Sequence, residues 1–396
     1  MALTGSLVVG PDRNGRVVRI VDGRVATHCP EDADRLACRD GEIAPGRVCA
    51  HTHLYSGLVP YGMPPAVPAP ARFSEILDRV WWRLDRAVDA DILTAAAEDY
   101  IARALLAGTT TIVDHHESPA FIEGSLSILS AACHRLGIRA LLCYGATERN
   151  GGRREAERGL TECASVPGTD LVRPLIGLHA GFTVSDATVT AAGNMARRTG
   201  IPLHIHVAED ECDVADARRR GYAGPIERLA DLGALVPGSV LAHGVHLDAD
   251  QVRRAGAAGC WLVHNPRSNE GNKVGYAGAL SEGTRVALGT DGWDPDMTQE
   301  EAALRRLGRL HGDAGIEGRL AAGARLVADR FGTPPDPLAP GSLGDLIVCR
   351  DGEVRHVVVG GRPLVTDATL TVASRAEIET NARREANRLW RRMAAL

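Results

Sequence analysis

The sequence predicts an α/β fold, a (β/α)8 barrel of the TIM type joined to a small β-sandwich that the two ends of the chain share. Two observations predict it. Between residues 47 and 292, eight short apolar segments alternate with longer helical patterns, as in parallel strands linked by crossover helices. The residues best suited to metal binding and proton transfer fall at the C-terminal ends of those segments, where barrels carry their chemistry.

The first 47 residues hold short alternating apolar runs at 6–9 and 16–21, separated by Gly, Pro and Asp, which is small-sheet texture. The far end repeats it at 345–349, 354–359 and 363–365, with Gly360-Gly361 as a turn. The expected division is therefore 1–47 as one part of the sandwich, 48–335 as the barrel, and 336–396 as the second part with a C-terminal helix. Barrel strands are expected at 47–53, 109–115, 139–145, 172–180, 202–209, 240–245, 260–266 and 285–292, and helices at 73–107, 121–136, 185–199 and 223–232. The interval 146–170 reads as irregular. The proline- and alanine-rich stretch 60–70 follows the first strand and reads as an active-site loop or a spacer.

Composition narrows the function. A 44% hydrophobic and 24% charged chain is ordinary for a globular enzyme. The net charge of -5 and pI near 6.3 give no basic field for nucleic acid or acidic membranes. Nine scattered cysteines without a CxxC predict neither a disulfide framework nor a Cys-type zinc site. No stretch reads as a signal peptide or membrane span, so a soluble, cytoplasmic protein is expected. Small molecules are the expected partners, and homodimerisation is left open.

On a strand, residues i and i+2 share a face, so His51 and His53 can present two imidazoles to one ion. His204 and His206 share a face by the same rule, and spacing alone does not choose between them. His115 and His116 are adjacent, so one must point away from the barrel axis. Trp81 and Trp82 likewise cannot face one direction, so the expected aromatic wall is Tyr55 with one tryptophan, Trp81. Lys273, the sole lysine, lies in the Gly-rich stretch 270–275 rather than on a strand, which excludes a lysine bridging two metals.

Five stretches, Pro45-Gly46 with His51-Thr-His53, Leu203-His-Ile-His-Val-Ala-Glu209, Leu241-Ala-His243-Gly-Val-His246, His264-Asn-Pro-Arg-Ser-Asn269 and Leu288-Gly-Thr-Asp291-Gly, resemble the amidohydrolase superfamily. Within it they are similar to the branch of cytosine, guanine and adenosine-type aminohydrolases that also holds atrazine chlorohydrolase. Asp114-His-His-Glu-Ser-Pro119 and Val80-Trp-Trp-Arg-Leu-Asp85 further resemble SsnA-type aminohydrolases. Two segments outside the chemistry depart from the family pattern, Arg47-Val-Cys-Ala50 and Pro340-Gly-Ser-Leu-Gly-Asp345, which bears on domain packing.

The resemblance implies one divalent metal, Zn2+ or alternatively Fe2+, held by His51, His53, His206 and Asp291. It implies a structural or supporting role for His204. It also implies attack by metal-bound hydroxide, with Glu209 as proton shuttle, His243 orienting the nucleophile and Asp291 doubling as proton acceptor. His179 is an expected substrate contact; His264 and Asn265 are expected either to bind substrate or to brace their loop, while His246 reads as structural. The reaction implied is hydrolytic deamination of an amino-substituted N-heterocycle such as a purine, pyrimidine or pterin, with ammonia released. The alternative from the same parts is ring opening of a cyclic amide or imidazolone-like substrate.

Overall fold

The computed structural model describes residues 3–396. Its central feature is a ring of parallel strands: Arg47–Thr52, Thr109–His116, Arg139–Tyr144, Val172–Pro174 continued by Ile176–Ala180, Leu203–Val207, Val240–His243, Trp261–His264 and Val286–Leu288. Every residue of all but the first and fourth is buried, as expected of parallel strands covered on both faces.

Two seams close the ring. The fourth strand pairs with the third through Val172 and Ala140, then changes partner at Leu175 and pairs with the fifth through Ile176 and Leu203. The N–H of Leu175 still bonds Leu142 O (2.8 Å), whereas that of Ile176 bonds Pro202 O (3.0 Å). At the other seam a parallel bridge joins Thr52 to Asp291, and the N–H groups of Thr290 and Asp291 both converge on His51 O at 2.9 and 3.0 Å. The last strand is thereby stitched to the first beside the residues of interest.

Helices surround the ring, several of them started by a side chain that satisfies free N–H groups. Ser185 caps Asp186–Thr199, Asp248 forms a capping box on Ala249–Ala257, and Asp296 caps Met297–His311. The region expected as one helical run over 73–107 is broken. A wide turn at Leu77–Trp81 interrupts it first, and at Val88 the chain becomes extended before Asp89 caps a new helix, Ala90–Leu106. The wide turn separates the two tryptophans: Trp81 lines the pocket at the barrel mouth, while Trp82 packs beneath the Arg149 guanidinium, 4.7 Å from its ring centre. The interval expected to be irregular contains a helix, Arg153–Ser165. Its apolar stripe is only Ala156, Leu160 and Cys163 amid charged residues, too thin to stand out in the sequence.

The chain ends form two facing sheets. One holds Ser6–Val9, Val18–Val21, Arg24–Ala26 and Asp34–Leu36; in the other, Glu42–Pro45 pairs antiparallel with Leu346–Arg350, followed by Glu353–Val359, Arg362–Thr366 and Thr369–Leu370. Leu7, Val9, Val18 and Ile20 from one sheet and Ile43, Leu346, Val348 and Val358 from the other share one core cluster. Gly360 and Gly361 both have positive φ, which the tight hairpin between two of these strands requires. Arg139 of the third barrel strand, wholly buried, donates from Nε and Nη2 to the two Asp345 oxygens (2.6 and 2.9 Å), joining barrel to sandwich. No helix among the described residues is long and apolar enough to cross a membrane.

Candidate metal centre and active-site pocket

Three strand ends bring the expected ligands together. His51 and His53 come from the first strand, His206 from the fifth, and Asp291 follows the eighth. Asp291 Oδ1 lies 2.8 Å from His53 Nε2 and 3.3 Å from His51 Nε2, and His206 Nε2 lies 3.2 Å from His53 Nε2. His53 donates from Nδ1 to His115 O (2.5 Å) and His206 from Nδ1 to His179 O (2.6 Å). These carbonyls fix the tautomers, so both Nε2 lone pairs face the same point as the carboxylate.

Such a gathering of acceptors demands positive charge. Burial opposes a proton on His53, yet the Asp291 carboxylate outweighs it and lifts His53 to about 9. Burial, together with charge on neighbouring His53, lowers His51 to about 3. The Nε2 atoms of His51 and His243 are buried without a partner. His51, His206, His243 and Asp291 offer ligand atoms within 4.8 Å of one another. Three imidazoles and a carboxylate around unpartnered nitrogens fit a divalent ion. His243, expected only to orient the nucleophile, is thus also within ligating range.

Surrounding residues hold the donors in place. His204 Nε2 lies 2.9 Å from His51 Nδ1, which is how this histidine acts although it shares a strand with His206. Ser268 donates to Asp291 Oδ2, and His243 donates from Nδ1 to Asn269 Oδ1 (2.9 Å). Ala208, His243 and Asp291 all have positive φ, at the mouths of the fifth, sixth and eighth strands. Each such non-glycine conformation costs on the order of 1–3 kcal/mol and is held only by tight surroundings.

Glu209 lies beside this centre. Its Oε1 accepts from Asn272 Nδ2 (3.2 Å) and its Oε2 lies 3.6 Å from His243 Nε2. Burial, reinforced by the Asp291 carboxylate, raises Glu209 well above the usual carboxyl range. The pocket over the centre is lined by His53, Tyr55, Trp81, Glu117, His179, His206, Glu209, Asn272 and Asp291, with Phe73, Leu77 and Phe182 as apolar walls. An apolar cavity of about 410 Å³ adjoins it across Trp81, Asn272 and Gly292; Pro60, Met63 and Pro70 of the proline-rich loop line that cavity.

His264 and Asn265, expected either to bind substrate or to brace their loop, are not among the residues that line the pocket. His264 Nδ1 accepts from buried Arg319 (3.0 Å), and Asn265 Nδ2 stands 3.3 Å from His243 Nδ1, behind the working face of that ring. His115 turns inward, its ring 4.5 Å from that of His206, whereas His116 turns away to Ser118 Oγ (2.8 Å). His246 meets Val274 O at 3.1 Å, a structural contact. Lys273 is exposed in a loop. Sequence reasoning passed over Glu117, Ser268 and Asn272. Only Glu117 carried a signal, since it shares parity with inward-facing His115.

A parallel eight-stranded barrel whose C-terminal mouth gathers histidines, an aspartate and a buried acid defines a metal-dependent hydrolase. The chain belongs to the amidohydrolase family, whose match spans residues 43–364. It is similar to the 5'-deoxyadenosine deaminase of Methanopyrus kandleri, at 25% identity over 96% of this chain and 97% of the relative. The 8-oxoguanine deaminase of Pseudomonas aeruginosa is 29% identical over 94% and 87%. Among solved structures, an adenosine deaminase from Xanthomonas campestris with bound zinc shares the fold at a TM-score of 0.82 and 22% identity, covering 97% of this chain and 98% of its own.

Proposed function

We propose that the protein is a hydrolytic deaminase of an amino-substituted N-heterocycle, replacing the amino group with an oxo group and releasing ammonia. The observation that carries this reading is Glu209, a carboxyl kept protonatable by burial within reach of both His243 and the metal-ligand cluster. The names of the deaminase relatives support it.

A single divalent ion, zinc by preference for this donor set, would be held by His51, His53, His206 and Asp291 and would bring the pKa of a water down towards neutrality. His243 orients that water through Nε2, its ring fixed by Asn269. Glu209 delivers a proton to the ring nitrogen as the tetrahedral carbon forms, and a second proton transfer lets the amine leave as ammonia. Asp291, braced by Ser268, accepts the proton of the incoming water. Tyr55 and Trp81 flank the ring, and His179 meets one edge of it. Nine free cysteines suit a reducing cytoplasm.

The test is an ammonia-release screen over amino-heterocycles with zinc-loaded protein. Stoichiometric ammonia with an intact ring is expected. In Glu209→Gln, kcat falls by about 10²-fold or more while the metal stays bound, because the amide keeps the shape but cannot shuttle a proton. A product that gains water without losing ammonia would establish ring opening instead.

A further inference from the structure

Glu117, just past the second strand, is 3% exposed and lines the pocket. Its carboxylate is short of donors. Oε1 has no hydrogen-bond partner, although His115 Nδ1 lies 3.0 Å away. His115 donates from Nε2 to Leu178 O (3.0 Å), and its Nδ1 likewise makes no hydrogen bond. Oε2 receives one long bond, from Tyr55 OH at 3.4 Å, and has His179 Nε2 at 3.7 Å. The nearby Arg149 cation is engaged elsewhere, its Nη2 bonding Asp85 Oδ2 (2.7 Å) above Trp82.

A buried carboxylate in a ligand pocket that the protein leaves underbonded is complemented by a ligand that brings donors. A second metal ion is a poor complement. Among the described residues, the ligating trio that contains Glu117 needs His179 and His206, and both His206 nitrogens are already committed, Nδ1 to His179 O and Nε2 to the centre.

We propose that Glu117 determines substrate specificity by accepting, at Oε2, an N–H group from the edge of the heterocycle remote from the hydrolysed amine. Oε2, beside Tyr55 OH and His179 Nε2 on the pocket wall, is the oxygen placed to receive a ring N–H, while Oε1 is enclosed next to His115. The substrate class is thus an amino-heterocycle with ring N–H on that edge, not one N-alkylated there. This rests on the deaminase reading for the identity of the ring, but not for the recognition itself.

The experiment measures binding by calorimetry to zinc-loaded protein, using amino-purine and amino-pyrimidine bases, each paired with its ring-N-methyl derivatives. The wild type is expected to prefer the N–H member of at least one pair by about 10²-fold or more, since a site built to receive a donor strongly rejects the analogue lacking it. In Glu117→Gln that preference should collapse to within about fivefold with metal content unchanged, and Glu117→Asp should restore part of it. An unchanged preference, equal weakening of both members, no binding by any pair, or loss of metal in Glu117→Gln would overturn the proposal. If a Glu117-dependent preference is found but no base yields ammonia, the deaminase reading fails and this one stands. If ammonia is released with a preference indifferent to Glu117, this proposal alone fails.

Discussion

His53 shows how much a single side chain carries at this site. Its Nδ1 is tied to the backbone of the neighbouring strand, and its Nε2 sits among Asp291 and His206, so it has no freedom to turn away. His53→Ala and His206→Ala are each expected to abolish metal binding and activity together. The wild type should hold one ion per chain by elemental analysis, and two catalytically required equivalents would contradict this. The donor residues were legible because strand parity places i and i+2 on one face and because five stretches resemble those of the superfamily in chain order. The role of His204 was not legible by spacing, because its contact with His51 joins two strands far apart in sequence. The bracing of His243 by Asn269 was equally hidden, since an Asn that ties a ring looks in sequence like an Asn that ties a turn.

Among the elements, the strands were the most legible, because buried parallel strands are short and almost wholly apolar. The fourth looked like one segment, yet at Leu175 it changes partner; residue type does not record which neighbour a strand will pair with. The helix Arg153–Ser165 escaped notice because its buried stripe is so thin. Helix starts, by contrast, are written locally. In the box on Ala249–Ala257, Gln251 N donates to Asp248 Oδ1 (2.8 Å) and Asp248 N to Gln251 Oε1 (3.1 Å). Asp248→Ala should cost about 1 kcal/mol in urea unfolding and leave catalysis intact. A cost of no more than a few tenths would show that the cap adds nothing here.

At the scale of the whole molecule, the shared sandwich was legible from matching texture at the two ends, whereas its grip on the barrel was not. The Arg139–Asp345 pair links positions 206 residues apart, beyond any local pattern, in a segment that departs from the family's usual form. Asp345→Asn would leave a buried guanidinium without its anion, and a loss of about 3–5 kcal/mol is expected in thermal or urea unfolding. Arg139→Met combined with Asp345→Leu should recover most of it, because neither charge is then stranded. A single-variant cost below about 1 kcal/mol would mean water compensates the arginine. The stitch of Thr290 and Asp291 onto His51 O has a consequence for biogenesis. The donors proposed for the ion come from the beginning, middle and end of the barrel, so a chain still on the ribosome could not assemble them until Asp291 has emerged and docked. On the proposed ligand set, metal loading then reports that the ring has closed, and a chain truncated before that residue would lack one of the four donors, however much of the barrel it has made.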